Sequence, residues 1–206
     1  DLACSGVMFT MDTESGFDKV VFITGSWGLG EMVVQGAVSP DQFYVFKPSL
    51  ERGKKAIIEK TLGHKDRKMV YDTSKSAEKV KIVKVPKEEM YDYVLSSAEL
   101  VQLAKWAVII EKHYKKPMDI EWAKDGETGE LYIVQARPET IHSMKEGSVM
   151  ETYVIEESER RGAPIVRGQA IGSKIGRGMV RVIDDPSKLS EFKPGEVLVT
   201  DMTTPD

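Results

Sequence analysis

Apolar and polar residues alternate along residues 5–12 (SGVMFTMD), the period-two pattern of a half-buried strand. Residues 19–24 (KVVFIT) repeat that character after the turn-forming stretch 13–17, which predicts a hairpin. Residues 25–36 (GSWGLGEMVVQG) read as a glycine-punctuated loop running into a short apolar stretch, and 42–47 (QFYVFK) as a further β-branched and aromatic strand. From 51 to 86 the chain turns polar and basic, with short strands expected at 56–59, 68–71 and 80–85 and with lysines that read as a solvated surface.

The period changes to that of a helix at 97–114, where Leu100, Leu103, Ala107, Ile110 and Tyr114 recur at three- and four-residue steps. Ser97 is the expected N-cap, Lys112, Lys115 and Lys116 suit the negative end of the helix dipole, and Pro117 stops it. Two strands, 118–123 (MDIEWA) and 131–136 (LYIVQA), then flank a turn at 124–130 (KDGETGE), and Pro138 breaks the ladder. Residues 141–149 lack periodicity and read as a linker. Glycines spaced as β-turns at 168–183 and a strand at 195–202 predict a second, β-rich domain beginning near residue 150.

Composition narrows the class. The 206 residues are 41% hydrophobic and 30% charged, as expected of a globular chain, and the net charge of -4 disfavours a general nucleic-acid or membrane-surface role. No apolar run is long enough to span a bilayer and nothing resembles a signal peptide, so a cytoplasmic location is the expectation. The one cysteine, Cys4, excludes an intrachain disulfide and a cysteine-based zinc site, and its small-residue surroundings predict a bland thiol. The absence of an initial Met and the abrupt end at Asp206 suggest a piece of a longer protein.

The strongest chemical pattern lies on the 118–136 hairpin. Alternate residues of a strand face one side, so Asp119 and Glu121 point together while Met118, Ile120 and Trp122 point into the core; Gln135 and Arg137 form a matching pair on the return strand. Two acids, an amide oxygen and a guanidinium suit a metal-bound polyphosphate, since magnesium takes hard oxygen ligands and arginine presents a planar fork to phosphate. A solvent-facing hairpin with incidental ion pairs fits the same alternation. The 25–36 loop has neither the Walker nor the dinucleotide spacing, and 172–178 (GSKIGRG) reads as β-turn glycines rather than a phosphate loop. His64, His113 and His142 share no motif; His113 suits a capping role at the helix end.

Taken in order, SGVMFTMDTESG, GSWGLGEMVVQGAVSPDQFYV, KPMDIEWAKDG and LYIVQARPET resemble the phosphoenolpyruvate synthase (pyruvate, water dikinase) family. GQAIGSKIGRGMVRVI and GEVLVTDMTTPD resemble the opening of that family's phosphohistidine domain. The resemblance implies an α+β fold: the C-terminal part of an ATP-grasp nucleotide-binding domain over 1–140, the linker 141–149, and the start of a swivelling phosphohistidine domain over 150–206. It further implies conversion of ATP, pyruvate and water to phosphoenolpyruvate, AMP and phosphate by a homo-oligomeric parent. Glu121 and Gln135 would hold Mg2+ against ATP, with Asp119 in support; Arg137 would grip phosphate as the catalytic cation; Glu31 would contact the nucleotide through its ribose. The first half of the nucleotide domain, the acceptor histidine and the pyruvate barrel would lie outside this chain, so the isolated chain is expected to be inactive, and Cys4 does not correspond to the barrel's cysteine. Pyruvate, phosphate dikinase and rifampin phosphotransferase share these parts. An ATP-grasp ligase and a non-catalytic scaffold are the readings of other classes.

Overall fold

The computed structural model describes residues 1–72, 79–140, 153–154, 163–166 and 174–200. The chain divides into two compact units, Asp1–Met150 and Glu151–Asp206. The predicted linker 141–149, the glycines at 168–173 and His142 lie outside the described residues.

The first unit is built on a six-stranded antiparallel sheet. Its strands are β1 (Cys4–Phe9), β2 (Val20–Trp27), β3 (Asp41–Phe46), β4 (Ile57–Thr61), β7 (Met118–Lys124) and β8 (Leu131–Pro138). They lie in the order β4-β3-β2-β1-β7-β8, so β1 and β7, far apart in sequence, sit side by side within the sheet. A separate two-stranded sheet pairs β5 (Arg67–Tyr71) with β6 (Val80–Lys84). Short helices α1 (Glu31–Val34), α2 (Lys47–Glu51) and α3 (Lys87–Met90) punctuate the connections.

One face of the sheet is covered by α4 (Ser97–Tyr114). Its Leu100, Leu103, Ala104, Ala107 and Val108 pack on Met8, Ile23, Phe43, Met118, Ile120 and Trp122 from four strands, all buried. Burial of each Leu, Ile, Val, Met or Phe among them stabilises by about 1.5–3 kcal/mol. Two helix expectations change. The N-cap is Ser96, whose hydroxyl accepts from the Glu99 N–H while the Glu99 carboxylate accepts from the Ser96 N–H, a reciprocal capping box. Tyr114 is half exposed, because the buried stripe drifts to Ala104 and Val108 as a 3.6-residue helix rotates past the sheet. At the other end Lys115 takes the left-handed cap (φ 55°), while His113 packs edge-on against Tyr114.

The expected glycine loop begins later than the sequence suggests. Gly25, Ser26 and Trp27 continue β2, and a side chain at Gly25 would meet the Trp122 ring at 2.8 Å. The loop proper is 28–30. There Gly28 (φ 81°) approaches β5 closely and the Leu29 N–H donates to the Met69 carbonyl at 3.0 Å. Met32, Val38 and Met69 form a small second core beside it.

The lysines of the 51–86 excursion are not all solvated. Lys65 is fully buried, and its ammonium donates to Asp41 Oδ1 at 2.6 Å. The same carboxylate accepts the N–H groups of Gly63 and Val94, so one ion pair ties three chain segments together.

In the second unit, β9 (Met179–Val182) pairs in parallel with β10 (Glu196–Val199), the two joined through a 3-10 turn at Pro186–Glu191. Arg181 forks onto Glu196, Nε to Oε2 at 2.7 Å and a terminal nitrogen to Oε1 at 2.6 Å.

Candidate functional site

Strands β7 and β8 pair so that Asp119 lies opposite Arg137 and Glu121 opposite Gln135. Directly opposed residues of an antiparallel pair share a face, so all four side chains stand on the side of the sheet away from α4. That placement depends on an irregularity. Glu121 pairs with Gln135 but Trp122 pairs with Ile133, leaving Val134 as the extra residue of a bulge. Leu131 and Ile133 face the core before the bulge and Ala136 after it; Val134 is exposed. Without the bulge, the strand's alternation could not serve both ends of the hairpin.

The two rungs differ. Asp119 is buried, and its Oδ2 accepts both Arg137 Nε at 2.9 Å and a terminal nitrogen at 2.8 Å. The hydrogen bond and the charge of Asp119 raise the guanidinium pKa, so Arg137 stays a cation. Its side chain is nonetheless 65% exposed, leaving donors free to reach a ligand. Glu121 is half-buried and Gln135 exposed.

The face continues across the sheet by register. Phe9 lies beside Asp119, then Phe22, then Tyr44; Val7 lies beside Glu121, then Thr24. Phe9, Phe22 and Tyr44 form a half-buried stack, with centroid separations of 6.4 and 4.7 Å. Glu31 opens α1 on an exposed turn and accepts a bond from Gln35 Nε2 at 2.8 Å. The pairing of β7 and β8 therefore gathers Asp119, Glu121, Gln135 and Arg137, while Glu31 belongs to the separate loop after β2.

Two concavities, of about 520 and 270 Å3, lie elsewhere, one along Lys54–Lys60 with Ser97 and Val101, the other around Lys47 and Glu111. Neither includes the four hairpin residues. The chemistry lies instead on the open face, where a charged fork stands beside a carboxylate–amide pair.

Sequence reasoning missed Lys47 and Thr10. Lys47 is buried, donating to the carbonyls of Thr10 and Asp18 and to the Glu111 carboxylate; burial lowers its pKa, partly offset by Glu111. Its position at the end of an aromatic strand gave no sign of this. Cys4 is buried, its thiol donates to the Val94 carbonyl, and burial pushes its pKa up to about 12, which agrees with an inert thiol.

A metal held by the protein alone has no basis among the described residues, which contain no group of three or more His, Cys, Asp or Glu side chains suited to one. The Glu121 carboxylate and the Gln135 amide oxygen do fit a magnesium ion that draws its remaining ligands from a polyphosphate and water. No described helix is long and apolar enough to cross a membrane.

Known proteins match this chain closely. It is 58% identical over 207 residues to the phosphoenolpyruvate synthase of Escherichia coli (strain K12), covering 100% of this chain and 26% of that protein. It is 57% identical over 203 residues to that of Pseudomonas aeruginosa (strain UCBPP-PA14), 98% of this chain and 25% of the relative. With that of Aquifex aeolicus (strain VF5) it shares 54% over 214 residues, again 25% of the relative. The chain thus spans about a quarter of the length of these relatives. The pyruvate phosphate dikinase, AMP/ATP-binding domain family matches residues 1–157, and the chain belongs to that family.

Proposed function

We propose that the open face of β7 and β8 binds magnesium–ATP and presents it for phosphoryl transfer, as part of a phosphoenolpyruvate synthase that uses pyruvate and water as acceptors. The observation that carries this reading is the register, with Glu121↔Gln135 two residues along from Asp119↔Arg137 on the same face, which supports two oxygens for a metal near a cation for phosphate. The family's description as AMP/ATP-binding and the names of the relatives support it.

In this reading Glu121 and Gln135 offer hard oxygen ligands to the ion. Magnesium bound there would offset the charge of the polyphosphate and fix its orientation. Asp119 orients the Arg137 fork, and Arg137 donates N–H groups to oxygens on which charge builds as the phosphoryl group leaves. Glu31 contacts the ribose from the 28–31 segment. An acceptor histidine and a pyruvate site would come from the rest of the longer, cytoplasmic, homo-oligomeric protein. The architecture is that of an ATP-grasp half domain over 1–140, a linker over 141–149, and the beginning of a swivelling phosphohistidine domain over 150–206.

Calorimetric titration of ATP with and without magnesium tests the binding claim. Wild-type chain should bind ATP more tightly with magnesium, and Glu121→Gln should abolish that difference while leaving thermal unfolding unchanged. A magnesium response that survives Glu121→Gln, or is absent from the wild type, contradicts the reading.

A further inference from the structure

Strand β1 ends at Phe9, yet the next residue still pairs with β7 in an unusual way. The Thr10 N–H donates to the Met118 carbonyl at 3.0 Å, the bond expected of a continuing ladder. In a regular hydrogen-bonded pair the Met118 N–H would answer by donating to the Thr10 carbonyl. That carbonyl is instead taken by Lys47 Nζ at 2.5 Å, and the Met118 N–H donates to the Thr10 hydroxyl at 2.9 Å. The side chain thus replaces the backbone acceptor that Lys47 has diverted. Thr10 is fully buried, so no water can take over.

The rung matters because of what adjoins it. Met118 lies opposite Pro138, which has no N–H to lend the ladder. Asp119, the residue that grips Arg137, is the very next one along the chain. The start of β7 is therefore tied to β1 by two bonds through one threonine.

We propose that Thr10 is a positioning residue for the nucleotide site, its hydroxyl fixing Met118 and through it the Asp119–Arg137 pair. This inference rests on the functional reading above. Thr10→Val keeps the shape and removes the acceptor; Thr10→Ser keeps the acceptor.

Calorimetric titration of the 206-residue chain with magnesium–ATP and, separately, with AMP tests it, with thermal unfolding followed on each variant. Thr10→Val should bind magnesium–ATP about tenfold more weakly, because the Asp119–Arg137 pair loses its fixed position, with AMP affinity nearly unchanged. Thr10→Ser should restore the wild-type value. A purely structural role would lower both affinities together. That result, or unaltered magnesium–ATP binding in Thr10→Val, overturns the inference and leaves the functional reading standing. Wild-type chain with no magnesium-dependent ATP binding overturns both.

Discussion

Asp119 and Arg137 face each other across β7 and β8, and a single carboxylate oxygen, Oδ2, receives two guanidinium nitrogens, at 2.9 and 2.8 Å. The carboxylate is buried and the guanidinium mostly exposed, so the pair works as an anchor and a free arm. A fork aimed this way has donors left over for phosphate, whereas a lysine would bring one point charge without the planar geometry.

Arg137→Lys should therefore cost far more in ATP affinity than in stability. Lysine keeps a cation beside the Asp119 carboxylate, and the guanidinium it replaces is mostly exposed, so urea unfolding should shift little. Loss of magnesium–ATP affinity by about tenfold or more is the expected companion, equivalent to about 1.4 kcal/mol. Equal ATP affinity in the two proteins would mean that Arg137 does not touch the ligand.

The Lys65–Asp41 pair makes the opposite prediction. Both side chains are fully buried, and the carboxylate also holds the Gly63 and Val94 N–H groups. Lys65→Met leaves a buried, uncompensated carboxylate, for which about 3–5 kcal/mol of destabilisation is expected. Urea denaturation of the variant measures it directly, and a loss below about 1 kcal/mol would show that Asp41 is satisfied by its backbone donors alone.

These two pairs also mark how far the residues could be read without coordinates. The 118–136 hairpin was legible because period-two alternation and a Gly-containing turn are local signals, but which residues oppose each other across it depends on the bulge. Helix α4 was legible for the same reason. Its cap was not: Ser96 and Ser97 are both capping types, and the choice depends on the Glu99 side chain reaching back to Ser96. The Val134 bulge could not be seen, because one extra residue leaves no mark on composition. The burial of Lys65 was hidden for a deeper reason, since its partner lies 24 residues away and only the fold makes them neighbours. Likewise the extension of β2 through Gly25 follows from the Trp122 ring lying against it, a tertiary contact with no local signature.

Gly28 ties the 28–31 segment to β5. Its φ of 81° is strained for other residues, and a Cβ there would sit 2.4 Å from the Met69 carbonyl oxygen. Gly53 has a similar φ of 64° with open space around it. Gly28→Ala should thus destabilise more than Gly53→Ala, whose cost is backbone strain of about 1–3 kcal/mol alone. Fluorescence of Trp27, whose indole N–H donates to the Glu89 carbonyl at 3.0 Å, should change in the Gly28 variant only. Equal effects at the two glycines would show that the contact with β5 is dispensable.

In the second unit the Arg181 fork, with the Lys193 N–H, pulls the Glu196 carboxyl down from 4.5 to about 2. A carboxylate whose pKa falls on folding stabilises the fold above its unfolded value and loses that contribution as pH drops through its folded one. The stabilisation should therefore be complete above about pH 4.5 and fade towards pH 2. An NMR titration of the Glu196 side-chain carboxyl carbon should give a midpoint near the lower value; a midpoint of an ordinary glutamate would mean that the fork with Arg181 is not formed.

The central claim is that a metal–nucleotide complex sits against Glu121 and Gln135. Paramagnetic broadening by manganese–ATP, which replaces magnesium with a relaxing ion, reports that proximity most directly. The account predicts that the Gln135 side-chain amide and the backbone amides of 119–122 broaden first, while those of β4 at Ile57–Thr61, the far edge of the same sheet, stay sharp. Broadening centred on β4, or a Gln135 amide that stays sharp at saturating manganese–ATP, would contradict it.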